Sequence, residues 1–153
     1  MNDDELLTLI AGEFSARRPE HFTDDQHCCE CAEHDEVLSS RELHTLTLAD
    51  IGNPGWDPIC FVTDEAFLYL FPALARIALE APRADRAWYM EQFLFHLIYD
   101  GPQNRRLLVA SAAQRNAVAA LLRHVEQTRT NLVDDYLCRH DLEQALSIWS
   151  ADG

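Results

Sequence analysis

Three thiols, two imidazoles and four carboxylates crowd into the ten residues His27-Cys28-Cys29-Glu30-Cys31-Ala32-Glu33-His34-Asp35-Glu36. Soft thiolate and imidazole donors together suit zinc or a similar transition metal. On a helix at about 100° per residue, His27, Cys31 and His34 share an arc of roughly 60°. Rise limits that stripe, because His27 and His34 would stand about 10.5 Å apart along the axis. One ion could therefore take His27 with Cys31, Cys28 with Cys31, or Cys31 with His34. A turn in place of a helix would let Cys28, Cys31 and His34 close around one ion as a short knuckle. Distant ligands could come from His21, His44, Cys60, Cys138 or His140. The metal-ligand set read from sequence is His27, Cys28, Cys31 and His34, with zinc as the cofactor.

Two other chemistries compete. The cysteines could be buried as small hydrophobes with the histidines hydrogen-bonded. Thiol chemistry at Cys28 or Cys31 is disfavoured, because residues 20–36 hold seven acids and no Lys or Arg. That field opposes a thiolate and favours a bound cation. The expectation is accordingly a binding protein more than an enzyme, with no catalytic residue assigned.

Other residues read more plainly. His96 lies among Phe93, Phe95 and Leu97 and is expected as a satisfied core histidine, and His124 as a helix-surface residue. Trp56 should anchor a rigid loop. Arg105 and Arg106 could grip a phosphate or carboxylate, although loop arginines are usually solvated. Phosphate loops, nucleophile elbows and HExxH helices are not found in the sequence.

Helices must position these groups. Leu6, Leu7, Ile10 and Phe14 recur at helical spacing, so a helix is expected from Asp3 to Ala16. Thr23-Asp24-Asp25-Gln26 fits a capping box opening a second helix from Asp24 to about Ser39. A single helical turn is expected over Thr47–Gly52, then a rigid turn over Asn53-Pro54-Gly55-Trp56-Asp57-Pro58. Ile59–Val62 reads as a short extended segment with no pairing partner. Thr63 should cap a helix over Asp64–Ala81, kinked near Pro72. Further helices are expected over Asp85–Tyr99, from Ser111-Ala112-Ala113-Gln114 to about Leu137, and over Asp141–Trp149. The sum is an all-α fold, an irregular bundle of about six helices in one domain spanning residues 1–153.

Composition agrees with a folded domain: 153 residues, 48% hydrophobic and 9% aromatic. The longest apolar stretch, Ala66 to Ala81, is interrupted by Pro72 and Arg76 and is shorter than the roughly 20 residues a membrane span needs. The acidic start Asn2-Asp3-Asp4-Glu5 is unlike a basic leader. Five cysteines, three of them crowded together, do not form a secreted disulfide framework, so the expected location is the cytoplasm. The net charge is −14, and residues 1–65 carry 16 acids against 3 arginines. Nucleic acid and membrane are disfavoured as partners. An alternative function follows from that asymmetry: an acidic interaction module, immunity- or regulator-like, whose N-terminal half docks a basic protein without metal.

The segment from His21 to Arg76 resembles a family of small uncharacterised bacterial proteins. The likeness rests on His21-Phe22-Thr23, the His27–Asp35 cluster, Asn53–Pro58, and Thr63-Asp64-Glu65-Ala66-Phe67-Leu68-Tyr69 leading to Phe71–Arg76. It implies a bacterial origin and a shared domain of unknown function, and it transfers no catalytic residue.

Overall fold

A computed structural model describes residues 1–82 and 88–151. Among the described residues nine helices follow in order: α1 Asp3–Glu13, α2 Cys29–Ser39, α3 Leu48–Ile51, α4 Asp64–Ala78, α5 Met90–Ile98, α6 Arg105–Val109, α7 Ala112–Thr128, α8 Thr130–Asp135 and α9 Arg139–Trp149. The described residues form no sheet, and the fold is an irregular all-α bundle with six helices of nine residues or more. No helix among the described residues is long and apolar enough to cross a membrane.

The frame of the bundle is α7, which packs against α1 and α9, while α5 lies on α9 and α4 contacts α1, α5 and α6. Aromatic rings fill the centre. Phe14 stacks on Phe71 at 4.3 Å, and Phe71 also meets Phe67 and Phe93 edge-on or tilted. Helix α4 is buried along most of its length, from Ala66 to Ala78, and accommodates Pro72 within it. At the other edge Trp149 is buried and donates its indole N–H to the Leu97 carbonyl at 2.9 Å, fastening α9 to α5.

Two capping expectations hold. Ser111 and Gln114 form a reciprocal capping box at the start of α7, and Thr63 Oγ1 accepts the Ala66 N–H at the start of α4. Others differ. The first helix ends at Glu13, and α4 at Ala78. The helix expected over Asp85–Tyr99 is seen as α5 from Met90, with residues 85–87 outside the described part. The long helix from Ser111 ends at Thr128 because Arg129 leaves helical angles (φ −130°, ψ 30°). Beside it, Thr128 and Thr130 bond back to the His124 and Glu126 carbonyls, a habit that weakens the helical ladder. Ile59–Val62 is not simply extended. Pro58–Cys60 forms a 3-10 turn, because Asp57 Oδ1 accepts the Ile59 N–H and Pro58 starts the turn. Val62 then makes a single antiparallel bridge to Thr23.

That bridge explains the largest difference, at α2. Thr23 does not cap a helix. Asp35 Oδ1 takes the Phe22 and Thr23 N–H groups at 2.5 and 3.2 Å, and the Thr63 N–H donates to the Phe22 carbonyl. Thr23 is thereby held extended, and its hydroxyl donates to the Cys31 carbonyl at 2.6 Å. The chain turns through Asp24–His27 and the helix begins five residues later than expected, with Cys28 as its N-cap. At the far end of α2, Arg18 donates to the Ser39 and Arg41 carbonyls, satisfying groups that the helix leaves open. The same guanidinium lies 5.2 Å from the Phe22 ring centroid, so Arg18 also braces the 17–23 segment internally.

Candidate metal centre

Because α2 starts at Cys29, His27 and Cys28 belong to the turn and Cys31 to the first helical turn. This change of local structure brings three donors together that a continuous helix would have spread along its axis. Cys28 has extended backbone angles (φ −162°, ψ 171°), and its Sγ accepts the Cys31 N–H at 3.4 Å. The Cys28 and Cys31 sulfurs stand 3.3 Å apart, and His27 Nδ1 is 3.5 Å from the Cys31 sulfur. All three ligand atoms lie within 4.8 Å of one another. Ligands on a tetrahedral zinc would be about 3.8 Å apart sulfur to sulfur and about 3.6 Å sulfur to nitrogen, from bond lengths near 2.3 and 2.05 Å. The His27–Cys31 separation already matches that geometry, and the sulfur pair would open by about half an ångström to meet it.

The two thiols differ in character. At Cys28 the donated Cys31 N–H, the Cys31 thiol and His27 bring the pKa down to about 7. Cys31 goes up to about 11, because it donates to Cys28, is shielded from water and sits near Asp24 and Glu30. The His27 imidazole is raised by its hydrogen bond and proximity to Cys28. The acidic field expected to oppose a thiolate here is outweighed at Cys28 by short-range donors at a helix N-terminus, while at Cys31 it adds a little to the larger effects of the Cys28 hydrogen bond and burial.

His34 is not brought into this group. It is 2% exposed, its ring stacks on Phe61 at 5.1 Å and tilts against Trp56 at 4.8 Å, and Nε2 is 3.4 Å from Glu30 Oε1. One helical turn beyond Cys31, it faces the aromatic loop instead of the sulfur pair. Trp56 is 44% exposed and anchors its loop through that imidazole, not through the core. Cys29 is exposed and also outside the group. His44, Cys138 and His140 join none of the metal-competent groups among the described residues, and Cys138 is buried at the start of α9.

Two further groupings come from contacts across the chain. His21 Nδ1 lies 2.9 Å from Asp35 Oδ2 and 3.8 Å from Asp25. Its pKa is raised by the Asp35 hydrogen bond and then by Asp25. Since Asp35 already holds two backbone N–H groups, this cluster serves the turn that carries Cys28. The second comprises Asp57, Cys60 and His96, again with ligand atoms within 4.8 Å of one another. His96 is buried as expected, and its partner is Asp57, with Nε2 at 2.8 Å from Oδ2. Sequence reading missed this grouping. Asp57 and Cys60 flank one turn, but His96 lies 36 residues beyond Cys60, and no periodicity links the two.

The remaining candidates have structural partners. His124 is buried, contrary to expectation, because Asp3 of α1 reaches its Nε2 at 2.7 Å. Arg105 pairs with Asp64 at 3.0 Å. Arg106 lies over the Phe67 ring at 4.3 Å and donates to the Ile59 carbonyl. No known protein family, curated protein or solved structure matches the chain.

Proposed function

We propose that this protein binds a transition-metal ion of the zinc class through His27, Cys28 and Cys31. Water, or a residue supplied by a partner, takes the fourth position. The observation that carries the reading is the trio of ligand atoms whose separations already approach those on a tetrahedral ion. His34 and Glu30 belong to the wall beside this group. Coordination would displace the thiol protons, and the surrounding carboxylates favour the added positive charge. The zinc content of protein purified without a histidine tag tests it: Cys28→Ser should hold about one ion per chain fewer than the wild type. A difference of less than about 0.2 ion per chain counts against a tight site here.

A second reading has its own support. Cys28, with its pKa near 7 and the Cys31 sulfur at 3.3 Å, is suited to thiol–disulfide exchange. Here the Cys28 thiolate attacks a small-molecule disulfide and releases one of its thiolates. Cys31 then displaces the second, closing the Cys28–Cys31 disulfide as its proton goes to solvent. Incubation with oxidised glutathione separates the readings: a closed disulfide in the metal-free protein that zinc prevents supports metal first, and closure at the same rate with zinc present supports exchange.

A further inference from the structure

A second cluster stands apart from the first, and it opens on a cavity. Asp57 and Cys60 are held on the 3-10 turn, and His96 projects from α5 to meet them. Asp57 is fixed on both oxygens: Oδ1 accepts the Ile59 N–H at 2.9 Å, while Oδ2 faces Gln92 Nε2 at 3.2 Å and His96 at 2.8 Å. Such outer hydrogen bonds orient a ligating carboxylate before an ion arrives. Cys60 is exposed, so the third donor is reached from solvent. It lines a cavity of about 410 Å³ together with Phe95, His96, Asn104 and Arg106.

The Tyr89 hydroxyl is buried and has no hydrogen-bond partner among the described residues. Burial, then Asp57, raises its pKa, with Arg106 opposing and Cys60 adding to the rise, so the phenol lies in the field of this group. Arg106 lines the cavity as well, and its guanidinium makes no ion pair within 4.0 Å among the described residues.

We infer that Asp57, Cys60 and His96 form a second transition-metal site, with three protein ligands and a fourth position open to the cavity for water or an anionic ligand. The donor set of carboxylate, thiolate and imidazole suits zinc, and three ligands with one open position is the arrangement of zinc sites that exchange a ligand. Binding parts Asp57 from His96, because two ligands on one ion stand about 3.3 Å apart. The Cys60 proton leaves to solvent, and His96 would ligate through an unprotonated ring nitrogen. Arg106 favours an anion, such as a carboxylate or phosphate, in the open position.

Cobalt(II) titration of the full, chelator-stripped chain tests this, read through the thiolate-to-cobalt charge-transfer band. The double variant His27→Ala/Cys28→Ser disables the first cluster. It should still bind about one cobalt per chain with a thiolate band, and adding Cys60→Ser should remove the band and weaken binding more than about tenfold. His96→Gln, checked for retained helical circular dichroism, should do the same. A double variant that binds no cobalt while the wild type binds one overturns this site and leaves the first standing. A band unchanged by Cys60→Ser in the double variant also overturns it. Conversely, one cobalt in wild type and double variant alike, lost with Cys60→Ser, supports this site and removes the first.

Discussion

Replacing Asp35 with alanine removes the carboxylate that holds the turn before α2. One oxygen satisfies two buried backbone N–H groups, those of Phe22 and Thr23, and the other faces His21. Each buried N–H left without an acceptor costs about 1–3 kcal/mol, so Asp35→Ala should lose about 2–5 kcal/mol of stability. Against a typical total of about 5–15 kcal/mol that is a large share. Asp35→Asn keeps an oxygen for the backbone and should lose only about 1 kcal/mol. Guanidinium unfolding at neutral pH measures both, with the m-value expected to stay unchanged. The pH dependence follows from the two partners. Burial opposes ionisation of Asp35, but hydrogen bonds from His21, Phe22 and Thr23 outweigh it and lower its pKa. Its contribution is therefore complete above its ordinary value of 3.8 and lost as pH falls through the lower folded value. His21 is raised, so its contribution is complete below 6.5 and lost as pH rises through the folded value. The wild type should thus weaken slightly from pH 6 to 8, and Asp35→Ala should reduce that slope, leaving the part that Asp25 holds on His21. A loss under about 1 kcal/mol for Asp35→Ala, or equal losses for both variants, would refute the claim that backbone capture sets the turn.

Arg129 clamps α1 to the end of α7 through Asp3, at 2.7 and 3.2 Å, and the Leu79 carbonyl, and with His124 it lowers the Asp3 pKa to about 2. Arg129→Ala should cost about 1–2 kcal/mol, since Asp3 is partly solvated. It should also move the Asp3 part of acid unfolding, complete above 3.8 and lost as pH falls through about 2, to higher pH, as acid titration by circular dichroism would show. Trp149→Ala should lose about 3–5 kcal/mol in denaturant unfolding, and Trp149→Phe about 2 kcal/mol less than that, since most of the ring packing is kept. Leu137 is 88% exposed and adopts a left-handed φ of 56°, so Leu137→Gly should raise stability by about 0.5–1 kcal/mol. In metal-free protein, iodoacetamide should label Cys28 with an inflection near pH 7, well before Cys31, as peptide mapping would reveal.

Residue order alone determined what one or two helical turns can encode. The apolar stripe of α1, the Ser111–Gln114 box, the Thr63 cap and the single helical turn ending at Gly52 all rest on interactions within about five residues. Such signals also marked the density of donors at 27–34 and its acidic setting. Tertiary contacts decided which donors meet. Thr23 had the local credentials of a cap and lost the role because Asp35, twelve residues away, claims its N–H while Val62 bridges it. That distant capture moved the helix start to Cys29, gathered His27, Cys28 and Cys31, and turned His34 toward Trp56 and Phe61. Asp57 and His96, 39 residues apart, meet only because the bundle lays α5 beside the 3-10 turn. A carboxylate's choice among backbone and imidazole donors depends on burial and direction in three dimensions, and neither is written in the spacing of residues.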